Sequence, residues 1–564
     1  MKEKLASIIY QVWPRSFFDS NSDGIGDIEG IIMKLPHLKS LNIRYLWISP
    51  LYSSPNMDYG YDVSDYYQIN PEYGNLDDMK RLISCADKLG IGIIMDLVAN
   101  HTSTQHPWFL EAINDKESPK RDYYFFRKST NGKEPNNWIS IFGGSAWSSV
   151  SQDEYVLTLF TPHQADLNWD NQEVRNEIAN IMQFWLELGI SGFRLDVINT
   201  ISKKEGLPDK NPHKKGYQFA DDLIINRPLA IRYASELMNE VRKRVGKDFI
   251  TIGEGMLIDR EAARLYSNIT NPIIDMMIHF DLHMLGCGPL GKFDFRKGYR
   301  WSIMDLKKVV SKWQNDMQKN NYWMANYLSN HDQPRQVSRF GNDKKYINES
   351  AKALAILNFT LMGTPIMYQG EEIGMTNIVL DQSDWRDYEA KNAYVVLQEM
   401  MHLPAFLAKK IVMKMTRDHA RTPMQWNDQP YGGFSNAKPW IKVNENHKLI
   451  NVASQKNDQN SVLGFYKKLT RFVSESKINT FSTWEEWHLK HKQVIAYQRV
   501  NETETYLVII NLSHRVAMIK NPDDLQRYAL VLHNYATPPM LTKKMVLRPY
   551  EGIIIQKKGD NDES

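Results

Sequence analysis

The stretch Gly192-Phe193-Arg194-Leu195-Asp196-Val197-Ile198-Asn199 constrains this chain more than any other. An apolar helical run from Ile178 to Leu188 precedes it, followed by a stop at Gly189, so Ile190 to Leu195 reads as a short buried strand. That strand delivers Arg194 and Asp196 at its C-terminal end, which in a barrel of alternating strands and helices is where chemistry is done. Two residues apart on a strand, the side chains share a face, and the adjacent cation favours an ionised carboxylate. Taken alone, the pair reads equally well as a buried ion pair closing a strand.

Three further stretches shift that balance. Phe249 to Glu254 is a short apolar strand ending in an acid, Tyr327 to Asp332 ends in His-Asp, and Met95-Asp96-Leu97-Val98-Ala99-Asn100-His101 supplies another acid and another histidine. Strand-like runs at Ile8–Val12, Tyr45–Ser49, Gly92–Leu97, Gly192–Asp196, Ile250–Glu254, Met276–Phe280, Met324–Ser329 and Pro365–Tyr368 alternate with helical patterns. The order predicts an α/β chain folded as a (β/α)8 TIM barrel over residues 1–100 and 171–479. The long interval after the third strand, rich in Pro and Gly, predicts an inserted subdomain at 101–170. From about residue 480 strand-like runs occur without long helices, which predicts a C-terminal β-sandwich over 480–564.

With these motifs in this order, the sequence resembles the α-amylase superfamily of glycoside hydrolases, and within it the oligo-1,6-glucosidase, dextran glucosidase and α-glucosidase group. A retaining glycosidase needs one ionised carboxylate to attack the anomeric carbon and one protonated acid, about 5 Å away, to protonate the leaving group. Asp196, beside Arg194, suits the first role; Glu254, after an apolar strand and with no immediate basic neighbour, suits the second. The resemblance implies that Asp332 stabilises the oxocarbenium-like transition state. It also implies that Asp58, Tyr61, His101, Arg194, His331 and Arg417 line the −1 subsite, with Asp58 and Arg417 holding the non-reducing end and so making the enzyme exo-acting. Each supporting residue has a plainer reading: His101 and His331 as satisfied histidines, Tyr61 and Trp47 as core, Arg417 to Trp426 as a structural loop. Their joint occurrence carries the inference.

In the resembled group a Val after the nucleophile accompanies α-1,6 preference, so Val197 points to isomalto-oligosaccharides. The chain departs from the group at Tyr59, where Asn is usual, at Gly255-Met256-Leu257, and at His279-Phe280-Asp281-Leu282-His283. Trehalose-6-phosphate hydrolase and sucrose-active enzymes share the architecture, but Gly291 to Lys297 lacks the Arg-Leu-Asp-Arg pattern of sucrose isomerases. A non-catalytic accessory relative would require a membrane span and, usually, lost acids.

Asp19-Ser20-Asn21-Ser22-Asp23-Gly24-Ile25-Gly26-Asp27-Ile28-Glu29 alternates oxygen-bearing side chains around a turn-permitting Gly24, as a hard cation such as Ca²⁺ requires. A solvated acidic turn is the plainer alternative. The resemblance implies a structural Ca²⁺ held by Asp19, Asn21, Asp23, Asp27 and Glu29 side chains and the Ile25 carbonyl. The balance of 69 basic against 66 acidic residues gives no reason to expect nucleic acid or an anionic membrane as a partner. Two isolated cysteines, Cys85 and Cys287, argue for a reducing compartment, and Met1 to Ile8 offers no long apolar run of a signal peptide. A cytoplasmic monomer acting on a small oligosaccharide is therefore expected.

Overall fold

A computed structural model describes residues 2–130, 132–288, 291–480, 483–520 and 525–558. Eight short apolar runs form parallel strands: β1 Ile9–Val12, β2 Tyr45–Ile48, β3 Gly92–Leu97, β4 Gly192–Leu195, β5 Ile250–Gly255, β6 Met276–His279, β7 Ala325–Asn326 and β8 Thr364–Tyr368. They are hydrogen-bonded in the order β6-β5-β4-β3-β2-β1-β8-β7, and a parallel bridge between Met277 and Met324 closes the ring. Every residue of β1, β2, β4, β5 and β8 is buried, because side chains fill the barrel on one face and helices cover the other. All eight runs singled out by sequence overlap these strands, although β7 is shorter than its apolar run.

The helix Gln172–Leu188 shows how the chain is delivered to β4. Asn171 caps its first turn by accepting from the Glu173 amide, Ile178, Ile181, Met182 and Trp185 face the barrel, and Gly189 ends it in the left-handed conformation at φ 109°. β4 then lies between β3 and β5 with Arg194 opposite both Asp96 and Ile252. Gly192 is required there, since a Cβ would sit 1.9 Å from the Ile250 carbonyl oxygen.

The interval after β3 carries a three-stranded antiparallel sheet of 126–128, 154–157 and 147–151, and a ribbon pairing His101–Ser103 with Gln164–Asp166. The buried Lys203, in the loop after β4, ties this excursion to the barrel: its Nζ lies 2.8 Å from Asp166 Oδ1 and donates to Asn100 Oδ1 at 2.8 Å. A second long excursion, residues 369–461, separates β8 from the helix Val462–Ser476, which the sequence reading had run together with the barrel. It returns Arg417 and Arg421 to the C-terminal ends of the strands.

Beyond it, strands 483–487, 494–500, 505–511, 552–557 and 528–533 form an antiparallel sheet in that spatial order, and 517–520 pairs with 544–547 in a ribbon. Alternate residues serve two faces. Val494, Ala496, Leu507, Ile509, Ile553 and Ile555 pack against the ribbon's Ala517, Ile519, Met545 and Leu547. Ile495, Tyr497, Val508, Ile510 and Ile554 join the barrel core, where the Tyr497 hydroxyl lies 2.6 Å from Thr360 Oγ1. Among the described residues no helix is long and apolar enough to cross a membrane.

Replacing Lys203 by Met would leave Asp166 buried without its cation. A loss of about 3 kcal/mol is expected, read as a lower thermal midpoint; an unchanged midpoint would show that Lys203 does not tie the excursion to the barrel.

Candidate active site

Arg194 is fully buried, and its guanidinium serves three carboxylates. Nη1 donates to Asp96 Oδ1 and to Asp196 Oδ1, each at 2.7 Å, and Nη2 lies 2.5 Å from Glu254 Oε1. Glu254 thus has no basic neighbour along the chain but has one in space, which corrects the sequence reading. The cause is register: Leu195 pairs with Gly253, so Asp196 and Glu254 emerge side by side from adjacent strands.

Asp196 and Glu254 are thus paired with the same guanidinium, through Nη1 and Nη2. Burial drives the Asp196 carboxyl well above the usual carboxylate range; Arg194 opposes this, while Glu254 and Asp96 reinforce it. Arg194 is therefore not a private counter-ion of Asp196, as the sequence suggested, but a cation shared three ways.

Asp332 sits in the opposite environment. Burial raises its carboxyl, but His331, Arg417 and Arg421 outweigh this and hold it well below the usual range. Arg421 Nη2 donates to Asp332 Oδ1 at 3.0 Å and Arg417 Nη1 at 3.5 Å, while His331 Nε2 lies 3.1 Å from Oδ2. His331 is fixed by the Tyr61 hydroxyl at 2.7 Å, by Gln11 Nε2 at 2.8 Å from its Nδ1, and by stacking on Trp13 at 5.3 Å. The same Tyr61 hydroxyl donates to Asp96 Oδ2 at 3.0 Å, joining the two carboxylate centres.

The pocket is closed at a third point. Arg417 Nη2 lies 3.3 Å from Asp58 Oδ1, and its Nε donates to Asp387 Oδ1 at 2.9 Å. Gln164 Nε2 donates to Asp58 Oδ2 at 3.3 Å and lies 3.1 Å from His101 Nε2. Burial lowers the pKa of His101, favouring the neutral imidazole. All nine residues singled out by sequence, Asp58, Tyr61, His101, Arg194, Asp196, Glu254, His331, Asp332 and Arg417, thus fall in one connected network.

Three members were not assigned from sequence. Arg421 lies four residues from Arg417 on the short helix Asp418–Arg421, a spacing that puts both on one side and was available as a signal. Gln164 is brought to His101 by the ribbon register Gln164↔Ser103, and Asp387 is carried in by the second excursion; neither has a local signal. Val197, whose amide reaches Glu254, and Met256 share one apolar cluster with Phe160, Phe142 and Phe280. Val197 has φ 35°, a strained conformation for a β-branched residue, and its amide donates to Glu254 Oε2 at 3.2 Å.

The Asp19–Glu29 loop lies apart from this network. Asp19 Oδ1 accepts from the amides of Asn21 and Ser22 at 3.1 and 2.7 Å, and Asp23 Oδ1 accepts from Ile25 at 2.8 Å. Asp27 caps the helix Ile28–Lys39 through Gly30, and Glu29 lies against Arg81. The donors at Asp19, Asn21, Asp23, Ile25 and Asp27 are all hard oxygens and fit a hard cation by type, with Glu29 engaged by Arg81. Among the described residues no group of three His, Cys, Asp or Glu converges for a metal.

Residues 11–480 match the model of the alpha amylase catalytic domain. The chain is 43% identical over 552 residues to an oligo-1,6-glucosidase of Parageobacillus thermoglucosidasius, covering 97% of each. It is 40% identical to a trehalose-6-phosphate hydrolase of Bacillus subtilis (strain 168), again covering 97% of each. It also aligns with the crystal structure of Bacillus licheniformis trehalose-6-phosphate hydrolase at a TM-score of 0.90 and 38% identity, covering 98% of this chain and 99% of that one. The network of Arg194, three carboxylates and a closed pocket, on a barrel that matches this family over most of its length, is that of a glycoside hydrolase, and the chain belongs to the alpha-amylase family.

Proposed function

We propose that the chain is a retaining, exo-acting α-glucosidase that removes the non-reducing-end glucose from short α-1,6-linked glucosides. The carrying observation is that Asp196 and Glu254 are held side by side on one guanidinium. Two carboxyls bound to the same fork fit the short separation of retaining chemistry, about 5–5.5 Å, better than the roughly 6.5–9.5 Å that leaves room for water in an inverting site.

In this reading Asp196, on the Tyr61 side of the pair, attacks the anomeric carbon as a carboxylate. Glu254, beside Val197, gives its proton to the glycosidic oxygen. Glu254 then takes a proton from water as that water releases glucose from Asp196, so the anomeric configuration is kept. Asp332, held ionised, stabilises the positive charge that develops on the ring. Asp58, Arg417 and Asp387 block the end of the pocket and bind the hydroxyls of the terminal glucose, which supports exo action.

Linkage and leaving group rest on the relatives and on the rim. The 43% identical relative named oligo-1,6-glucosidase and Val197 after Asp196 support α-1,6 bonds. A phosphorylated leaving group would need a free cation near the pocket mouth. Lys292, whose charge acts on Asp387, lies 2.6 Å from Glu389 Oε2 and is already neutralised, which favours an uncharged sugar. Purified enzyme is expected to hydrolyse isomaltose and panose faster than maltose, sucrose, trehalose or trehalose 6-phosphate; fastest turnover of trehalose 6-phosphate would transfer the chain to that activity.

We further propose that the Asp19–Glu29 loop binds a structural Ca²⁺. Among the described residues no hydrogen bond joins the site to the loop, so the ion's contribution is to stability. Removing it with EDTA should lower the thermal midpoint, by about 2.7 kcal/mol of stability if the free ion stands at 100 times its dissociation constant. Added Ca²⁺ should restore it, and identical midpoints with and without EDTA would refute the metal. Both cysteines are free, which supports a reducing cytoplasm.

A further inference from the structure

Arg421 carries the Asp332 carboxylate, yet one of its own nitrogens has no hydrogen-bond partner. Its Nε donates to the His331 carbonyl at 3.2 Å and Nη2 to Asp332 Oδ1 at 3.0 Å. Nη1 is buried, and no acceptor stands within reach of it among the described residues. What faces the guanidinium instead is aromatic. Its central carbon lies 4.5 Å from the Trp13 ring centre and 5.9 Å from that of Tyr59. Ring faces carry negative potential, so two of them can compensate a desolvated cation where no oxygen does.

Tyr59 holds that position at a conformational cost. Its φ of 51° lies in the left-handed region, which side chains larger than Asn or Asp seldom adopt. The conformation turns the ring onto Trp440, 5.0 Å away, and Trp440 is in turn fixed by donating to Ser16 Oγ at 2.9 Å. Arg15 lies over both rings, at 5.7 Å from Tyr59 and 5.1 Å from Trp440. A strained residue braced this heavily, directly after Asp58, is held for its side chain and not for its backbone.

We propose that Tyr59 is a positioning residue: with Trp13 it clamps Arg421, and through Arg421 it holds Asp332 where charge develops in the transition state. This rests on the glycosidase reading above. Because Asp332 acts on the developing charge, the clamp contributes to kcat and leaves ground-state binding little changed.

The test uses the full-length enzyme on isomaltose, with Tyr59→Asn and Tyr59→Phe. Asn adopts the left-handed region readily, so Tyr59→Asn removes the ring while relieving the backbone. Its thermal midpoint should not fall, its kcat should fall roughly tenfold and its KM should stay within about twofold. Tyr59→Phe keeps the ring and should restore kcat. A Tyr59→Asn enzyme with wild-type kcat overturns the clamp, and so does a Tyr59→Phe enzyme as slow as Tyr59→Asn, which would put the role on the hydroxyl. A wild-type enzyme inactive on every α-glucoside overturns the glycosidase reading and this inference with it.

Discussion

One buried guanidinium decides the character of this site. Isolated, Arg194 in the barrel interior would be prohibitively unstable, and so would Asp96, Asp196 and Glu254 without it. Together they settle by sharing one cation among three carboxyl groups. The short parallel strands β3, β4 and β5 make this possible, because their register places Asp96 opposite Arg194 and brings Asp196 and Glu254 out side by side. Strand pairing therefore sets the two carboxyl groups side by side.

Asp332 shows the same device used with the opposite sign. It meets two guanidiniums and a histidine and is held well below the usual carboxylate range, while burial drives Asp196, a similar group on the same barrel rim, well above it. Environments that push like groups apart in this way divide the labour among them. The rim that makes the difference comes from outside the barrel: Gln164 from the first excursion, and Asp387, Arg417 and Arg421 from the second. The barrel supplies Arg194, Asp196 and Glu254, and the excursions close the pocket and hold the third carboxylate.

Much of this was legible in the chain, for physical reasons that differ residue by residue. Arg194 and Asp196 declare themselves because strand periodicity is local, and the eight strands do so because buried parallel strands are short apolar runs. The neighbour of Glu254 was misread because it lies across a strand pair, where sequence distance says nothing about space. Gln164 and Asp387 left no trace, since each is positioned by contacts with segments far away in the chain. Arg421 could have been found from its spacing to Arg417, and Tyr59 shows itself only as a departure whose meaning depends on the rings around it.

The central claim, that Asp196 and Glu254 stand side by side on one guanidinium and so act through a covalent intermediate, is tested most directly by the anomer first released. Proton NMR of p-nitrophenyl α-glucoside hydrolysis, recorded before mutarotation, should show α-glucose appearing first and β-glucose only as it equilibrates. β-Glucose appearing first would mean direct attack by water across a wider gap, and would contradict the account.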